Sequence, residues 1–225
     1  MSATSVLSIS LWRRLAAAFL FGLCIAAAPA GAAEDGDAPV ALLESTLQRM
    51  LETLREERET LKQEPERIYS LVDEILVPQV DFVRASRWVL GRHWRRADNA
   101  QKRAFINEFR TLLVRFYSSA LVEYVTTNEV PGADIMRFLP LRAAPDERDV
   151  TVRSEVRQPN GSVIPVHYQM YRTKQGWKVY DVSVEGISMV VSYRSSFATE
   201  ISQGGIDGLI QALRERNKSL AVNKG

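Results

Sequence analysis

Residues 177–209 read WKVYDVSVEGISMVVSYRSSFATEISQGGIDGL, and this stretch decides the fold. It begins with aromatic and β-branched residues, which are typical of a strand in a sheet packed on one face. Gly186 then allows the chain to turn. Apolar residues recur at helical spacing over 187–202 and 206–216, and Gly204 and Gly205 separate the two runs. The pattern predicts a strand, a tight turn and two closing helices.

The chain immediately upstream of this stretch has the pattern of a sheet. Apolar residues bounded by short polar loops predict strands at 135–139, 150–157, 163–172 and 177–185. Because short loops join neighbouring strands as hairpins, we expect these four strands to form an antiparallel meander.

Further upstream, apolar residues recur every three and four positions, which predicts helices. Pro65 and Pro78 interrupt the pattern, Gly91 is placed to end a helix, and Asp98 is placed to begin one. The sequence therefore predicts an α+β fold, with a helical amino-terminal half followed by a curved four-stranded antiparallel sheet. The expected helices span residues 40–62, 66–76, 82–90 and 100–124.

The amino terminus has the pattern of an export signal. Arg13 and Arg14 precede an apolar run over 15–28, and small residues after the run offer cleavage sites. The run is shorter than the roughly 20 residues that span a bilayer. We therefore expect residues 1–33 to comprise a cleaved signal peptide and the start of a disordered leader, and residues 34–225 to form one exported domain.

Cleavage changes the composition of the chain. Cys24, the only cysteine, leaves with the signal, so no disulfide or thiolate chemistry is available to the mature chain. Arg13 and Arg14 also leave, so 27 of the 29 basic residues remain to balance 27 acidic ones. A neutral chain lacks the basic surplus of nucleic-acid-binding proteins. We expect no cofactor, no metal and no nucleic-acid partner.

Several pieces of the sequence together resemble one protein family. They are LGRHW at 90–94, the aromatic helix that follows it, and three pieces of the opening stretch: WKVYDV at 177–182, EGISMV at 185–190 and GIDGL at 205–209. In this combination, over about residues 68–213, the chain resembles the MlaC family, also called toluene-tolerance or Tgt-type periplasmic phospholipid-binding proteins.

This resemblance implies a fold, a function and partners. The implied fold is similar to the nuclear transport factor two cone, extended by helices, with an apolar cavity between sheet and helices. The implied function is that of a soluble periplasmic carrier, without enzymatic activity, which shuttles phospholipids between the inner and outer membranes and so maintains outer-membrane lipid asymmetry. Its implied partners are a diacyl phospholipid, an inner-membrane ABC transporter complex with a ring-forming lipid-binding protein, and an outer-membrane lipoprotein–porin complex. We expect the carrier to be a monomer.

Surplus apolar residues give an independent reason to expect a cavity. On the last strand, simple alternation places Trp177 and Val179 on one face and Tyr180, Val182 and Val184 on the other, so both faces need cover. One face then packs on helices while the other lines a cavity. A solid core on both faces explains the same pattern equally well.

The cost of exposing lipid chains to water explains why a carrier encloses its cargo. At about 0.8 kcal/mol per buried methylene, two acyl chains with on the order of 28 methylenes represent about 20 kcal/mol of transfer free energy. An open surface groove leaves too much of this apolar area in water.

Candidate lipid-binding residues are the apolar positions on the elements expected around such a cavity. Each of them is also a good candidate for ordinary core, and we expect their contribution to binding to be collective. The candidates are Phe82, Val89, Phe105, Phe109, Leu112, Leu113, Phe116, Tyr117, Ala120, Leu121, Tyr124, Val152, Val166, Tyr168, Met170, Val179, Val182, Met189, Val190, Tyr193 and Phe197.

Two other classes of protein fit parts of the pattern. Cone-shaped folds also host isomerases and dehydratases, for which Asp81, His93, His167, Tyr168 and Asp181 are the catalytic candidates, although no base with an orienting partner is evident. The third class is a periplasmic adaptor that binds protein, in which the apolar stripe is an interface. Arg87, Arg92, His93 and Arg194 are candidates for contact with a phosphate or an anionic membrane surface, and solvation or pairing with carboxylates is the stronger explanation for each of them.

Overall fold

A computed structural model describes residues 38–132, 134–144, 146–158 and 160–222 of the chain. The predicted export signal, with Arg13, Arg14 and Cys24, lies outside these residues. The elements, in chain order, are α1 Ala38–Glu56, α2 Arg58–Gln63, α3 Arg67–Leu71, a π-helical turn Val72–Leu76, a 3₁₀ turn Val77–Gln79, α4 Phe82–Leu90, a 3₁₀ turn Gly91–Arg95, α5 Asn99–Thr127, β1 Met136–Phe138, β2 Asp149–Arg157, β3 Val163–Thr173, β4 Gly176–Val184, β5 Ile187–Ser188 and α6 Met189–Val222.

The sheet is an antiparallel meander with strand order β1-β2-β3-β4-β5. It confirms the predicted α+β class and the predicted order of strands. The fifth strand, of two residues, follows the turn at Gly186 and adds to the four strands that the sequence predicts. One face of the sheet is buried against helices, because Val152, Val166 and Met170 on that face are fully buried.

A β-bulge in β4 changes which side chains share a face. Met170 pairs with Val179 and Gln169 pairs with Asp181, so Tyr180 has no opposite residue on β3. Tyr168 pairs with Val182, which places Val179 and Val182 on the same buried face. The expectation that Val179 and Val182 point to opposite faces is therefore wrong. Simple alternation fails here because a bulge inserts one residue into the pleat.

The helices differ from the sequence prediction at two interruptions, and a third, at Gly205, confirms it. The predicted helix 40–62 is two helices, α1 and α2, that meet at Glu57. The predicted helix 66–76 changes from α3 to the π-helical turn at Val72. The two predicted closing helices are the two arms of α6, which bends at Gly205 with φ 66° and ψ −165°.

The capping residues behave as the sequence predicts. Asp98 accepts a hydrogen bond from the Gln101 amide at 2.8 Å, and the Gln101 side chain accepts one from the Asp98 amide, which completes a capping box at the start of α5. Gly91 follows α4 with a positive φ of 52°. Asp207 accepts a hydrogen bond from the Gln101 side chain at 2.9 Å, so it ties α6 to the start of α5.

Buried apolar residues form two clusters, and α5 contributes to both. The first lies between the sheet, α1 to α3 and the second half of α5, which supplies Leu121 and Val125. The second, which we call the aromatic core, lies between α4, α5 and α6 and is centred on Phe105, Phe109, Tyr193 and Phe197. Within the part of the chain that the structure describes, no helix has the length and apolarity needed to cross a bilayer.

Candidate functional site

An apolar cavity of about 120 Å³ lies between the two clusters. Its walls come from the π-helical and 3₁₀ turns, α4, α5, the bulged part of β4 and the start of α6. A cavity of on the order of 150 Å³ holds a benzene-sized molecule. The space seen here therefore holds a few methylene groups, and longer acyl chains require the walls to separate.

Irregular backbone forms one side of the first cavity. Asp81 donates its amide to the Val179 carbonyl at 2.8 Å, and Val80 forms an isolated parallel bridge with Val179. This pairing holds the segment after the 3₁₀ turn against β4 just before the bulge. β4 bulges at Tyr180 and the facing chain is a π-helical turn, so both segments on this side of the cavity depart from regular geometry.

A second apolar cavity, of about 80 Å³, lies on the other side of a thin partition. Leu76, Val80, Val179 and Val182 line both cavities and so form the wall between them. The remaining walls of the second cavity come mainly from α1, with Phe138 and Tyr168 from the sheet. Movement of the segment that carries Leu76 and Val80 would join the two spaces into one.

Polar groups inside the first cavity are few. The hydroxyls of Tyr117 and Tyr193 hydrogen-bond to each other, and the Tyr117 hydroxyl also donates to the Met189 sulfur at 3.5 Å. Burial raises the pKa of Tyr193 to about 12 and raises that of Tyr117 well above its usual value. Both hydroxyls are therefore protonated, uncharged groups at neutral pH.

Asp181 also lines the cavity, and its carboxylate oxygens are already engaged. They accept hydrogen bonds from the Val182 amide at 2.8 Å, the Val190 amide at 3.0 Å and the Ser188 hydroxyl. The Ser188 hydroxyl in turn accepts from the Val191 amide at 3.1 Å. Asp181 thus fixes the start of α6 against β4 and sets the position of this wall.

Beside the cavity, Arg84 lies between two aromatic rings. Its guanidinium is 3.7 Å from the ring centre of Tyr171 and 4.8 Å from that of Tyr180. It is paired with Asp149 at 2.8 Å, and the Tyr180 hydroxyl donates to the same carboxylate at 2.8 Å. This cation–π and ion-pair cluster anchors the bulged residue and α4 to the sheet.

Nine of the residues predicted to bind lipid line the first cavity, and Tyr168 lines the second. The nine come from four separate elements, which the fold brings together around the first cavity. The nine are Phe82, Phe109, Leu113, Tyr117, Val179, Val182, Met189, Val190 and Tyr193.

Most of the other predicted residues belong to the clusters around the cavities. Val89, Phe105, Leu112 and Phe197 are buried in the aromatic core, and Leu121, Val152, Val166 and Met170 are buried in the sheet cluster. Phe116, Ala120 and Tyr124 are half-buried along α5. The contribution of each to lipid binding stays a prediction.

Sequence reasoning missed eight lining residues, which lie mostly on the irregular segments, with Ala85 on α4 and Val114 on α5. They are Val72, Leu76, Val77, Val80, Ala85, Val114, Tyr180 and Asp181. The signal that could have found the first four is an apolar run around Pro78 that is too continuous for one face of a helix. Tyr180 and Asp181 line the cavity because of the bulge, which single-sequence alternation does not indicate.

The catalytic candidates have structural roles or lie apart. Asp81 caps α4 by accepting from the Arg84 amide at 2.8 Å, and Asp181 holds the start of α6. His167 lies opposite Arg153 and Ser183 on the sheet face away from buried Tyr168. His93 is in the 3₁₀ turn after α4, where desolvation and nearby Arg92 and Arg96 lower its pKa. Among the described residues, no group of histidine, aspartate and glutamate is arranged to hold a metal ion.

The basic candidates also lie away from the cavity lining. Arg194 donates its Nε to the Trp88 carbonyl at 2.8 Å and so ties α6 to α4. A cation next to the cavity that sequence reasoning did not consider is Arg110 on α5. Its guanidinium is 6.0 Å from the ring centre of Phe82, which lines the cavity.

Comparison with known proteins identifies the family. Residues 44–215 match the model of the MlaC protein family. The chain is 29% identical over 170 residues to the toluene tolerance protein ttg2D of Pseudomonas putida, which covers 75% of each chain. It is 25% identical over 180 residues to the intermembrane phospholipid transport system binding protein MlaC of Haemophilus influenzae, covering 79% of this chain and 81% of that one.

A solved structure of a similar protein has the same fold and contains a bound ligand. It is a phospholipid-binding protein from Ralstonia solanacearum in complex with a phospholipid, with a TM-score of 0.67 and 34% sequence identity. The match covers 80% of this chain and 97% of the other. A family match over most of the chain, two relatives of similar length and a shared fold agree, and the chain belongs to the MlaC family.

Proposed function

We propose that this protein is a phospholipid carrier that holds acyl chains in the cavity between β4, α4, α5 and α6. The observation that carries the proposal is an almost wholly apolar cavity, walled by irregular segments, in a chain whose structural relative binds a phospholipid. The residues proposed to contact the chains are the predicted ones that line the two cavities, together with Val72, Leu76, Val77 and Val80.

Lipid uptake in this proposal requires the cavity to enlarge. The space of about 120 Å³ is far smaller than two acyl chains, whereas the second cavity of about 80 Å³ lies just behind the partition. Leu76 and Val80 belong to the short segment between α3 and α4, which contains no complete regular helix. Displacement of this segment by an acyl chain joins the cavities without disturbing the aromatic core.

The wider role proposed is transport across the periplasm. The amino-terminal sequence pattern supports a chain that is exported and freed of its signal peptide, and the name of the Haemophilus influenzae relative, an intermembrane phospholipid transport system binding protein, supports transport of phospholipid. We propose that it exchanges phospholipid with an inner-membrane ABC transporter complex bearing a ring-forming lipid-binding protein, and with an outer-membrane lipoprotein–porin complex. The function in this proposal is to maintain outer-membrane lipid asymmetry, and it involves no covalent chemistry on the protein.

The test of lipid binding is mass spectrometry of lipid extracted from the protein after purification from the periplasmic fraction without detergent. We expect near-stoichiometric phospholipid, and the mature amino terminus can be read from the same sample. A protein that arrives without lipid and takes up none from phospholipid vesicles contradicts the proposal.

The test of the wider role is affinity capture from solubilised envelopes with the lipid-loaded and the stripped protein. We expect the transporter complex and the lipoprotein–porin complex to be retained, with a different preference for the two lipid states. Retention of neither complex contradicts the proposed partners while leaving lipid binding intact.

A further inference from the structure

A polar groove of about 580 Å³ lies over the seam between α5 and the segment formed by α3 and the π-helical turn. Asp73 on the π-helical turn and Arg110 on α5 form an ion pair across it at 2.6 Å. The other polar groups on its walls are uncharged, apart from Arg115, which donates to the Asn217 carbonyl.

The groove and the first apolar cavity share this seam. Val114 lines both spaces. Asp73 is preceded by the cavity residue Val72, and Arg110 is preceded by the cavity residue Phe109. The Arg110 guanidinium lies 6.0 Å from the ring centre of Phe82 in the cavity wall. A polar space therefore adjoins an apolar one, as the polar and apolar parts of a phospholipid adjoin each other.

The ion pair across the groove is easily exchanged. The side chain of Arg110 is 44% exposed and that of Asp73 is 54% exposed. Pairs this exposed contribute about 0 to 1 kcal/mol to stability. A phosphodiester shares one negative charge between two oxygens that can accept both N–H groups of a guanidinium fork, whereas the contact here is made through one oxygen of Asp73.

We propose that this groove is the subsite for the phosphate of the bound lipid, and that Arg110 releases Asp73 and binds the phosphate in its place. The proposal rests on the proposed carrier function and adds to it the residue that recognises the headgroup. The chemistry recognised is a phosphate ester oxyanion, which a lipid or a free phosphate could supply. The lipid is the source we propose, because the apolar cavity adjoins the groove.

The experiment measures equilibrium binding of two lipids to the stripped protein from vesicles. One lipid is a phosphatidylglycerol and the other is a diacylglycerol with the same chains, which lacks the phosphate. The variants are Arg110→Gln, Arg110→Lys and Asp73→Asn. The matched control is Arg137→Gln, which removes an exposed arginine paired with Glu155 at 2.7 Å on β1 and β2.

We expect Arg110→Gln to weaken phosphatidylglycerol binding by on the order of tenfold, because a charge-assisted hydrogen-bond pair is lost. Arg110→Lys should show a smaller loss, since it keeps the charge without the fork. Asp73→Asn should strengthen binding, because it releases Arg110 from its competitor. Diacylglycerol binding should be the same in all variants, and Arg137→Gln should behave as the unmodified protein does.

Three outcomes overturn the subsite. If Arg110→Gln and Asp73→Asn weaken the binding of both lipids equally, the ion pair only joins α5 to the π-helical turn. If Arg110→Gln leaves phosphatidylglycerol binding unchanged while the unmodified protein binds it, the groove does not contact the headgroup and the carrier function stands. If Arg110→Gln abolishes binding of inorganic phosphate alone, measured by calorimetry, without affecting lipid, the groove is a free-anion site. Binding of neither lipid by the unmodified protein overturns the carrier function as well.

Discussion

The aromatic core and the apolar cavity are built from similar residues, and only one of them is filled. In the aromatic core, regular helices bring Phe105, Phe109 and Phe197 together with ring centres 5.6 to 6.1 Å apart. At the cavity, a π-helical turn and a bulged strand face the same helix α5. Regular helices surround the filled region, whereas the cavity has an irregular wall on one side. Irregular backbone therefore accompanies the space that a ligand can use, although regular helices supply the rest of its lining.

The largest expected effect is the loss of stability when a buried side chain of the aromatic core is truncated. Phe197 is fully buried and contacts Phe105, Phe109 and Tyr193. We expect Phe197→Ala to lower the free energy of unfolding by about 3 to 5 kcal/mol, because it leaves a cavity among rigid neighbours. The measurement is denaturant unfolding of the stripped protein.

The control for this change lies on the same helix. Val191 is 54% exposed, so Val191→Ala should change stability by no more than about 0.5 kcal/mol. A loss below about 1 kcal/mol for Phe197→Ala, well short of the usual cost of truncating a buried phenylalanine, would mean that the aromatic core is as loosely filled as the cavity, and the comparison would fail.

A smaller effect concerns the bend that lets both arms of α6 reach the aromatic core. Gly205 adopts φ 66° and ψ −165°, a conformation nearly exclusive to glycine, and a Cβ there meets nothing within 4 Å. We therefore expect Gly205→Ala to cost about 1 to 3 kcal/mol from backbone strain alone. Its measurement is thermal unfolding, and Leu209 and Leu213 beyond the bend should lose protection in hydrogen exchange.

Gly204→Ala is the matched control for the bend. A methyl group added at Gly204 would also meet open space, and Gly204 lacks a positive φ. We expect Gly204→Ala to be neutral or stabilising by up to about 1 kcal/mol, because it restricts the unfolded chain. Equal effects of the two substitutions would show that the bend is not a fixed feature of α6.

The sequence predicts regular features well and irregular ones poorly. The α+β class, the meander, the capping role of Asp98 and the helix break at Gly205 all follow from local patterns that the structure confirms. The bulge at Tyr180 and the π-helical turn at Val72 do not, because both depend on how distant segments meet. These two irregularities form one side of the cavity, so this part of its lining could not be read from periodicity.

The same limit applies to the individual site residues. Phe105 and Phe109 are one helical turn apart on α5 and look alike in the sequence, yet only Phe109 borders the cavity. Arg110 is one residue further on and reads as part of the polar face of α5. Its position over Phe82 and opposite Asp73 depends on tertiary contacts between α5, α4 and the π-helical turn.

Filling the cavity with a larger side chain tests whether this space is available to a ligand. Leu113 lines the cavity and is half-buried, so Leu113→Trp should occupy the space that an acyl chain takes. We expect phospholipid affinity to fall about tenfold, which corresponds to about 1.4 kcal/mol, with a smaller change in unfolding free energy. Binding is measured by lipid uptake from vesicles.

Val163→Trp, at a site 50% exposed at the start of β3, is the control for adding an indole elsewhere. It should leave lipid uptake unchanged. If Leu113→Trp destabilises the protein as strongly as Phe197→Ala does and spares lipid uptake, then this part of the molecule is core and the cavity lies elsewhere.

The smallest expected effect is the contribution of Tyr193 to the pH dependence of stability. This residue lies where the aromatic core and the cavity meet. This residue contacts Phe109 and Phe197 in the aromatic core and also lines the cavity, and burial raises its pKa to about 12. Between pH 10 and 12 the unfolded chain loses this proton and the folded chain keeps it. Stability should therefore decrease as pH rises through this range, by about 1 kcal/mol from this residue at about pH 11.

The phenolate absorbance of the unmodified protein minus that of Tyr193→Phe isolates the titration of this one hydroxyl. A midpoint near the ordinary tyrosine value of about 10 would mean that water reaches the Tyr193 hydroxyl freely. The cavity would then be open to solvent in the lipid-free protein, and Tyr193 would not belong to the buried aromatic core.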